Sequence, residues 1–297
     1  MPRTVVATRY VTPLREGGSL PGVVEADDDG LYVVKFRGAG QGPRALVAEW
    51  LGGELGRAIG LRVPELVWAD LDPGLGDAEP DGEIQDLVRS SGGLNLGMDF
   101  LPGALTFNRA ARPTVDQDEA AAIVWLDGLI TNPDRTVVNP NLLVWHGGLW
   151  LIDHGAALYV HHAWRDPDEH ARRPFERLRE HVLLPYASSV AAADARLADR
   201  LSSDLIAELV AAIPELWLPE DPLIGGADAQ RAAYRRYLSL RLTSATAVHR
   251  GGRACQTRRV ARTSTPSSGW CRTWSAARAS TWASCCSAAR SATSAST

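Results

Sequence analysis

Lysine is almost missing from this chain. Of its 31 basic side chains only Lys35 is a lysine, and the other 30 are arginine. Such a bias accompanies GC-rich coding and makes arginine the default cation. A lysine that persists against it is a candidate for chemistry that a planar guanidinium cannot do. Cysteine is also scarce. All four (Cys255, Cys271, Cys285 and Cys286) lie beyond residue 242. The cysteine-free remainder excludes a disulfide scaffold and fits a reducing cytoplasm. No apolar run approaches the ~20 residues of a membrane-spanning helix, which predicts no membrane partner. Arg3, Arg9, Arg15 and Glu16 interrupt the first twenty residues, so no secretory signal is expected there.

Acidic residues stop at Asp228. Residues 243–297 hold eight arginines and no acid, while residues 1–242 hold 23 basic against 35 acidic residues, a net −12. The overall −4 therefore joins two unlike parts. The tail adds Trp270, Trp274 and Trp282 to Ala, Ser, Thr and Arg without apolar periodicity. It reads most simply as disordered, or as an out-of-frame reading of GC-rich sequence. A basic, Trp-containing arm for nucleic acid is the alternative. A metal site on Cys271 and the Cys285-Cys286 pair lacks C-x-x-C spacing and nearby histidine. The whole, at 297 residues with 45% hydrophobic and 22% charged side chains, is ordinary for a soluble globular protein of one large or two smaller domains.

Strand patterns fall at residues 4–12, 22–36, 65–71 and 94–101. The turn-rich Asp27-Asp28-Asp29-Gly30 lies within the second stretch. A helix is predicted over residues 44–59, stopped by Gly60. Residues 72–83, rich in Asp, Gly and Pro, read as a surface loop. Helical patterns follow at 118–131, 169–181, 188–201, 204–213 and 227–242. Between them, residues 142–145 and 149–152 flank His146-Gly147-Gly148 and read as a hairpin. A turn centred on Gly147 sets Asn141 opposite Asp153, with Asn139 and Asp134 just outside the same end.

Taken together these residues have the makings of phosphoryl transfer from ATP. Lys35 sits in an apolar strand, Val33-Val34-Lys35-Phe36, where a cation can reach phosphates. Glu49, 14 residues later on the following helix, can hold that cation. Asp134 can orient an attacking hydroxyl and accept its proton. An amide from Asn139 or Asn141 and the carboxylate of Asp153 are oxygen ligands suited to Mg²⁺. The spacing from Asp134 favours Asn139; the hairpin arithmetic favours Asn141. Glu16-Gly17-Gly18-Ser19 supplies a glycine-rich loop between the early strands. Each element alone is common, and their order and joint placement carry the reading.

The same segments resemble the HipA-like kinases, the serine/threonine kinase family of bacterial toxin–antitoxin systems, and its short actinobacterial branch most of all. The matching runs are Val33 to Phe36, Ala48-Glu49-Trp50 on to Gly60-Leu61-Arg62-Val63-Pro64, Asn132-Pro133-Asp134-Arg135 to Asn139, and Leu151-Ile152-Asp153-His154-Gly155. Gly97-Met98-Asp99-Phe100-Leu101-Pro102 resembles the strand that links two lobes and receives adenine. The resemblance implies that Lys35 contacts the nucleotide phosphates and Glu49 pairs with it. It implies Asp134 as the base, Asn139 and Asp153 as Mg²⁺ ligands, and Asp99 and Leu101 beside the adenine. Gly17, Gly18 and Ser19 would cradle phosphate, and Ser19 would be an autophosphorylation candidate. The family proper has an additional N-terminal subdomain, whereas this sequence starts almost at the kinase core.

The expected fold is therefore α+β and two-lobed, protein-kinase-like. Residues 1–102 form a strand-rich lobe, 103–242 a helical lobe, and 243–297 a tail. The expected activity is ATP- and Mg²⁺-dependent phosphorylation of a protein serine or threonine, in the cytoplasm, with an antitoxin-type partner. The alternatives are a small-molecule or lipid kinase of the same fold, or a non-catalytic nucleotide-binding module. His154, His161 and His162 lack the spacing of a zinc helix and read as packing or surface residues. The tryptophans at 50, 68, 125, 145, 150, 164 and 217 read as core and lobe-interface anchors.

Overall fold

The computed structural model describes residues 2–14, 20–77, 79–111 and 113–244. Gly17, Gly18, Ser19 and the tail from residue 245 lie outside these. Alternating apolar residues build five strands: β1 (Thr4–Pro13), β2 (Gly22–Ala26), β3 (Leu31–Lys35), β4 (Leu66–Leu71) and β5 (Gly93–Asp99). They close into a barrel in the order β1-β2-β3-β5-β4. Every pairing is antiparallel except β1 with β4, which closes the barrel in parallel.

Strand pleating sorts β3 onto two faces. Tyr32 and Val34 join Val5, Val24, Val67 and Leu71 in one buried cluster. Leu31, Val33 and Lys35 take the opposite face. Ile84 and Val88 of α2 (Gly82–Ser90) complete the first cluster. The loop expected over residues 72–83 holds a 3₁₀ turn at Pro73–Gly76 and ends at this unanticipated helix. Asp81 caps it by accepting from the Glu83 N–H at 3.0 Å, a start signal obscured by the surrounding Asp-Gly composition.

Helix α1 (Pro43–Ala58) is buried on most sides. Its interior glycines allow close approach. A Cβ on Gly52 would stand 2.8 Å from the His154 Cβ, and one on Gly53 would stand 2.6 Å from Leu66 Cδ1. Tryptophans join this helix to the barrel and to the second half of the chain. Trp50 and Trp68 rings lie 4.5 Å apart, and Trp217 meets Trp68 edge-on at 4.8 Å. The Trp50 indole donates to the Leu209 carbonyl at 2.9 Å, and that of Trp217 to the Leu94 carbonyl at 2.9 Å. Trp125 and Trp164 are buried as well, whereas Trp145 and Trp150 are only half-buried.

The second half holds β6 (Leu105–Thr106), α3 (Gln117–Leu129), β7 (Leu142–Trp145), β8 (Gly148–Leu151), α4 (Pro167–Arg172), α5 (Val190–Leu197), α6 (Ser203–Ala211) and α7 (Ala227–Thr243). Strand β6, unanticipated, pairs with β7 to extend the hairpin into three strands. The helix expected over residues 169–181 breaks after Arg172. Pro174 cannot continue it, and a 3₁₀ turn follows at Glu176–Glu180. The hairpin turn is His146-Gly147, with φ of 47° and 76°. Positive φ at both positions marks the two-residue turn that suits strand twist. Trp145 therefore pairs with Gly148 and Leu142 with Leu151. Asn141 falls opposite Ile152, correcting the expected pairing with Asp153 by one residue.

Candidate functional site

Lys35 ends β3 at the mouth of the barrel. Its ammonium donates to Glu49 Oε2 at 2.9 Å and to Asp153 Oδ1 at 2.5 Å. Three elements thus meet on one cation, although 118 residues separate Lys35 from Asp153. The Lys35 side chain is 13% exposed, that of Glu49 is buried, and that of Asp153 is 43% exposed. Burial alone would discharge Lys35. Asp153 and Glu49 outweigh it and hold its pKa above the ordinary value. Burial raises the Glu49 carboxyl despite Lys35. At Asp153 burial works in the same upward direction, but Lys35 prevails and depresses the carboxyl. Asp153 thus stays an open carboxylate fixed by a cation behind it.

Asp134 lies in the segment between α3 and β7. The amides of Asn139 and Asn141 both donate to its Oδ2, at 2.8 and 3.3 Å. Asn141 Nδ2 also reaches the Asp153 carbonyl at 3.5 Å. Asn141 thus stands between the two aspartates, while Asn139 reaches only the first. Asn141 and Asp153 both have left-handed backbones, φ 48° and 56°. Asn and Asp tolerate that region best among residues with a side chain.

Behind this loop lies a buried polar network that spacing did not reveal. Asp127 of α3 accepts from Asn132 Nδ2 at 3.0 Å, Arg135 Nε at 2.6 Å and His181 Nε2 at 2.8 Å. The Leu183 N–H donates to His181 Nδ1 at 3.1 Å, which fixes the neutral ring as the Nε2–H tautomer. Burial would raise the Asp127 carboxyl, but Arg135 and His181 hold it far below the carboxylate range. Arg135 also donates to the Asn141 and Ile152 carbonyls. An Arg beside a candidate base and an Asp seven residues before that base were the available signals. Neither spacing is distinctive without the fold.

The face of β3 that bears Lys35 also carries Val33. Val33 packs with Leu14, Val23 and Phe100 in a separate buried cluster, with Leu31 and Val11 at its margin. This apolar patch also went unread in the sequence. Asp99 and Leu101 line a different groove of about 480 Å³ with Arg57, Arg62, Trp145 and Trp150, to which Lys35 does not contribute. Their side chains are not brought to the Lys35 cluster; Phe100, between them, is on the Lys35 face.

Among the described residues no group of three His, Cys, Asp or Glu could hold a metal alone. His161 is buried with Nδ1 3.0 Å from the Tyr234 hydroxyl, as a packing residue. His154 is buried against Gly52. Among the described residues no helix is long and apolar enough to cross a membrane.

Residues 8–242 match the family model described as HipA-like kinase. No curated protein matches the chain. Among solved structures the chain is similar to a crystal structure of a Helicobacter pylori proinflammatory kinase, CtkA. The TM-score is 0.52 at 14% identity, covering 83% of this chain and 97% of that one. At that identity the likeness carries the fold, a kinase fold. The family match spans the barrel from residue 8 within β1, the Lys35 cluster, the Asp134 loop and all but the last residue of α7: the chain belongs to the HipA-like kinase family.

Proposed function

We infer that this kinase transfers the γ-phosphoryl group of ATP, with Mg²⁺, to a serine or threonine of a protein. The observation that carries the reading is the Lys35 ammonium shared between Glu49 and Asp153, 2.9 and 2.5 Å away. A cation so held is preorganised for phosphate oxygens without conformational search. ATP would lie between two lobes, residues 1–102 and 103–242, with its base on the Val23, Val33 and Phe100 patch. The main chain of 99–101 would edge that base. The glycine loop at Gly17, Gly18 and Ser19 keeps its proposed phosphate role on sequence grounds.

The donor set fits Mg²⁺. It offers one open carboxylate and amide oxygens rather than a dedicated cage, which suits an ion that keeps waters and phosphate oxygens as ligands. Asp153 and Asn141 would hold it, since Asn141 stands between the two aspartates. Asn139 would then orient Asp134. When bound, the ion neutralises charge on the β- and γ-phosphates. Asp134 accepts the acceptor hydroxyl's proton, and its Oδ2 is already oriented by two amide N–H groups. Val137 and Val138, 54% and 66% exposed on the same loop, offer apolar contact to a polypeptide acceptor. They favour a protein over a small polar substrate.

Transfer of labelled γ-phosphate to a serine-containing protein substrate tests this. Asp134→Ala is expected to lower kcat by a factor of about 10² to 10⁴ with ATP affinity nearly unchanged. Unaltered turnover in that variant would contradict the assigned base.

A further inference from the structure

The two residues assigned to the metal leave the hairpin at its open end, each with a left-handed backbone. Such conformations persist only where the surroundings over-determine them. Ladder pairing ends there with the Ile152 N–H donating to the Asn141 carbonyl at 3.2 Å. One guanidinium ties the main chains of both strands together at that end. Arg135 Nη1 donates to the Asn141 carbonyl and, at 3.2 Å, to the Ile152 carbonyl, which immediately precedes Asp153. Its Nε and Nη2 grip the two oxygens of Asp127 at 2.6 and 3.5 Å. The Val182 N–H donates to the Arg135 carbonyl at 3.0 Å and secures its main chain. Arg135 and Asp127 side chains are both fully buried, 0% exposed.

We propose that Arg135, anchored by Asp127, is a positioning residue that sets Asn141 and Asp153 at the spacing a divalent cation needs. It touches neither nucleotide nor acceptor. Arg135 follows Asp134 directly, so the same side chain also ties the base's loop to the metal-holding end of the hairpin. A buried ion pair is weak evidence for stability, because desolvation offsets its attraction. This pair instead directs a planar fork of donors at two carbonyls on opposite strands. Lysine, a point charge on a flexible stem, cannot make those bonds together. The metal part of the inference rests on the proposed kinase function; the positional part does not.

The test compares the full-length protein with Arg135→Lys by two measurements. Hydrogen exchange of peptides spanning residues 139–145 and 148–154 reads the hairpin end without any ligand. It should rise at least about tenfold in the variant while the barrel strands exchange as before. Calorimetry with a non-hydrolysable ATP analogue reads the metal. The gain in affinity on adding Mg²⁺ should shrink by about tenfold or more, as for lost supporting shells elsewhere. Affinity without Mg²⁺ should change less than about twofold. If the single variant does not fold, Arg135→Met combined with Asp127→Asn removes the fork without stranding a charge, and the same comparisons apply. Unchanged exchange in both peptides of a folded variant would overturn the proposal. So would an equal loss of affinity with and without Mg²⁺. A parent protein that shows no Mg²⁺-dependent nucleotide binding would instead sink the kinase assignment of this site, and the exchange result would still decide the role of Arg135.

Discussion

At the scale of single residues, burial decides which titratable groups stay charged. Lys35 and Asp153 stay charged because each is the other's partner. His161 has no such compensation, and at His181 the Asp127 carboxylate does not overcome burial. Burial holds both below the ordinary histidine range, so both are neutral in the fold. The unfolded chain binds protons on them near pH 6.5. Stability contributed by keeping them neutral is therefore full above that pH and declines as pH falls toward the folded values, by up to about 1.4 kcal/mol per pH unit per group. Urea denaturation at pH 7 and pH 5 should show the parent losing more stability than His161→Asn, which can still meet the Tyr234 hydroxyl. An equal loss in both proteins would show that His161 does not titrate on unfolding. Lys35, Glu49 and Asp153, which the fold brings together, and the proposed base Asp134 stood out by residue type and spacing. Asp127 and His181 were not, because their meaning comes from a contact 54 residues apart in sequence.

At the scale of elements, glycine explains how the site is assembled. Ala would favour an exposed helix interior over Gly by roughly 1 kcal/mol. Gly52 is retained in α1 where a Cβ would stand 2.8 Å from the His154 Cβ. Gly52→Ala should therefore push His154, and with it the adjoining Asp153, away from Lys35. Nucleotide affinity in the presence of Mg²⁺ should drop at least about tenfold while the helix keeps its circular dichroism. Gly40→Ala is the control, since nothing lies within 4 Å of its added Cβ; its affinity should match the parent's. Equal affinities in all three proteins would refute this account of α1. The limits of sequence reading also fall at this scale. Strand and helix cores were legible from periodicity. The hairpin register slipped by one because a two-residue turn, His146-Gly147, looks like a three-residue turn when a second glycine follows it. The 169–181 pattern continued past Pro174 because apolar spacing survives a break that the backbone does not.

At the scale of the whole molecule, a barrel and a set of helices share a continuous apolar core through Trp50, Trp68 and Trp217. That shared core includes Ala48 and Trp50, either side of Glu49 on α1, and Ile152, next to Asp153, and so fixes α1 against the segment that bears Asp153. The overall class was legible in the sequence because both periods, two and 3.6, occur in separate stretches. The Val33–Phe100 patch was not legible. It depends on which face of β3 turns outward, and closure of the barrel decides that. Lys35, Glu49 and Asp153 are proposed to form one nucleotide and metal site. Calorimetric titration of ATP into the full-length protein, with and without Mg²⁺, tests this most directly when repeated on Asp153→Ala. The expected result is binding that strengthens with Mg²⁺ in the parent and loses that Mg²⁺ dependence in the variant. Absence of ATP binding by the folded parent, or Mg²⁺ dependence that survives in Asp153→Ala, would contradict it.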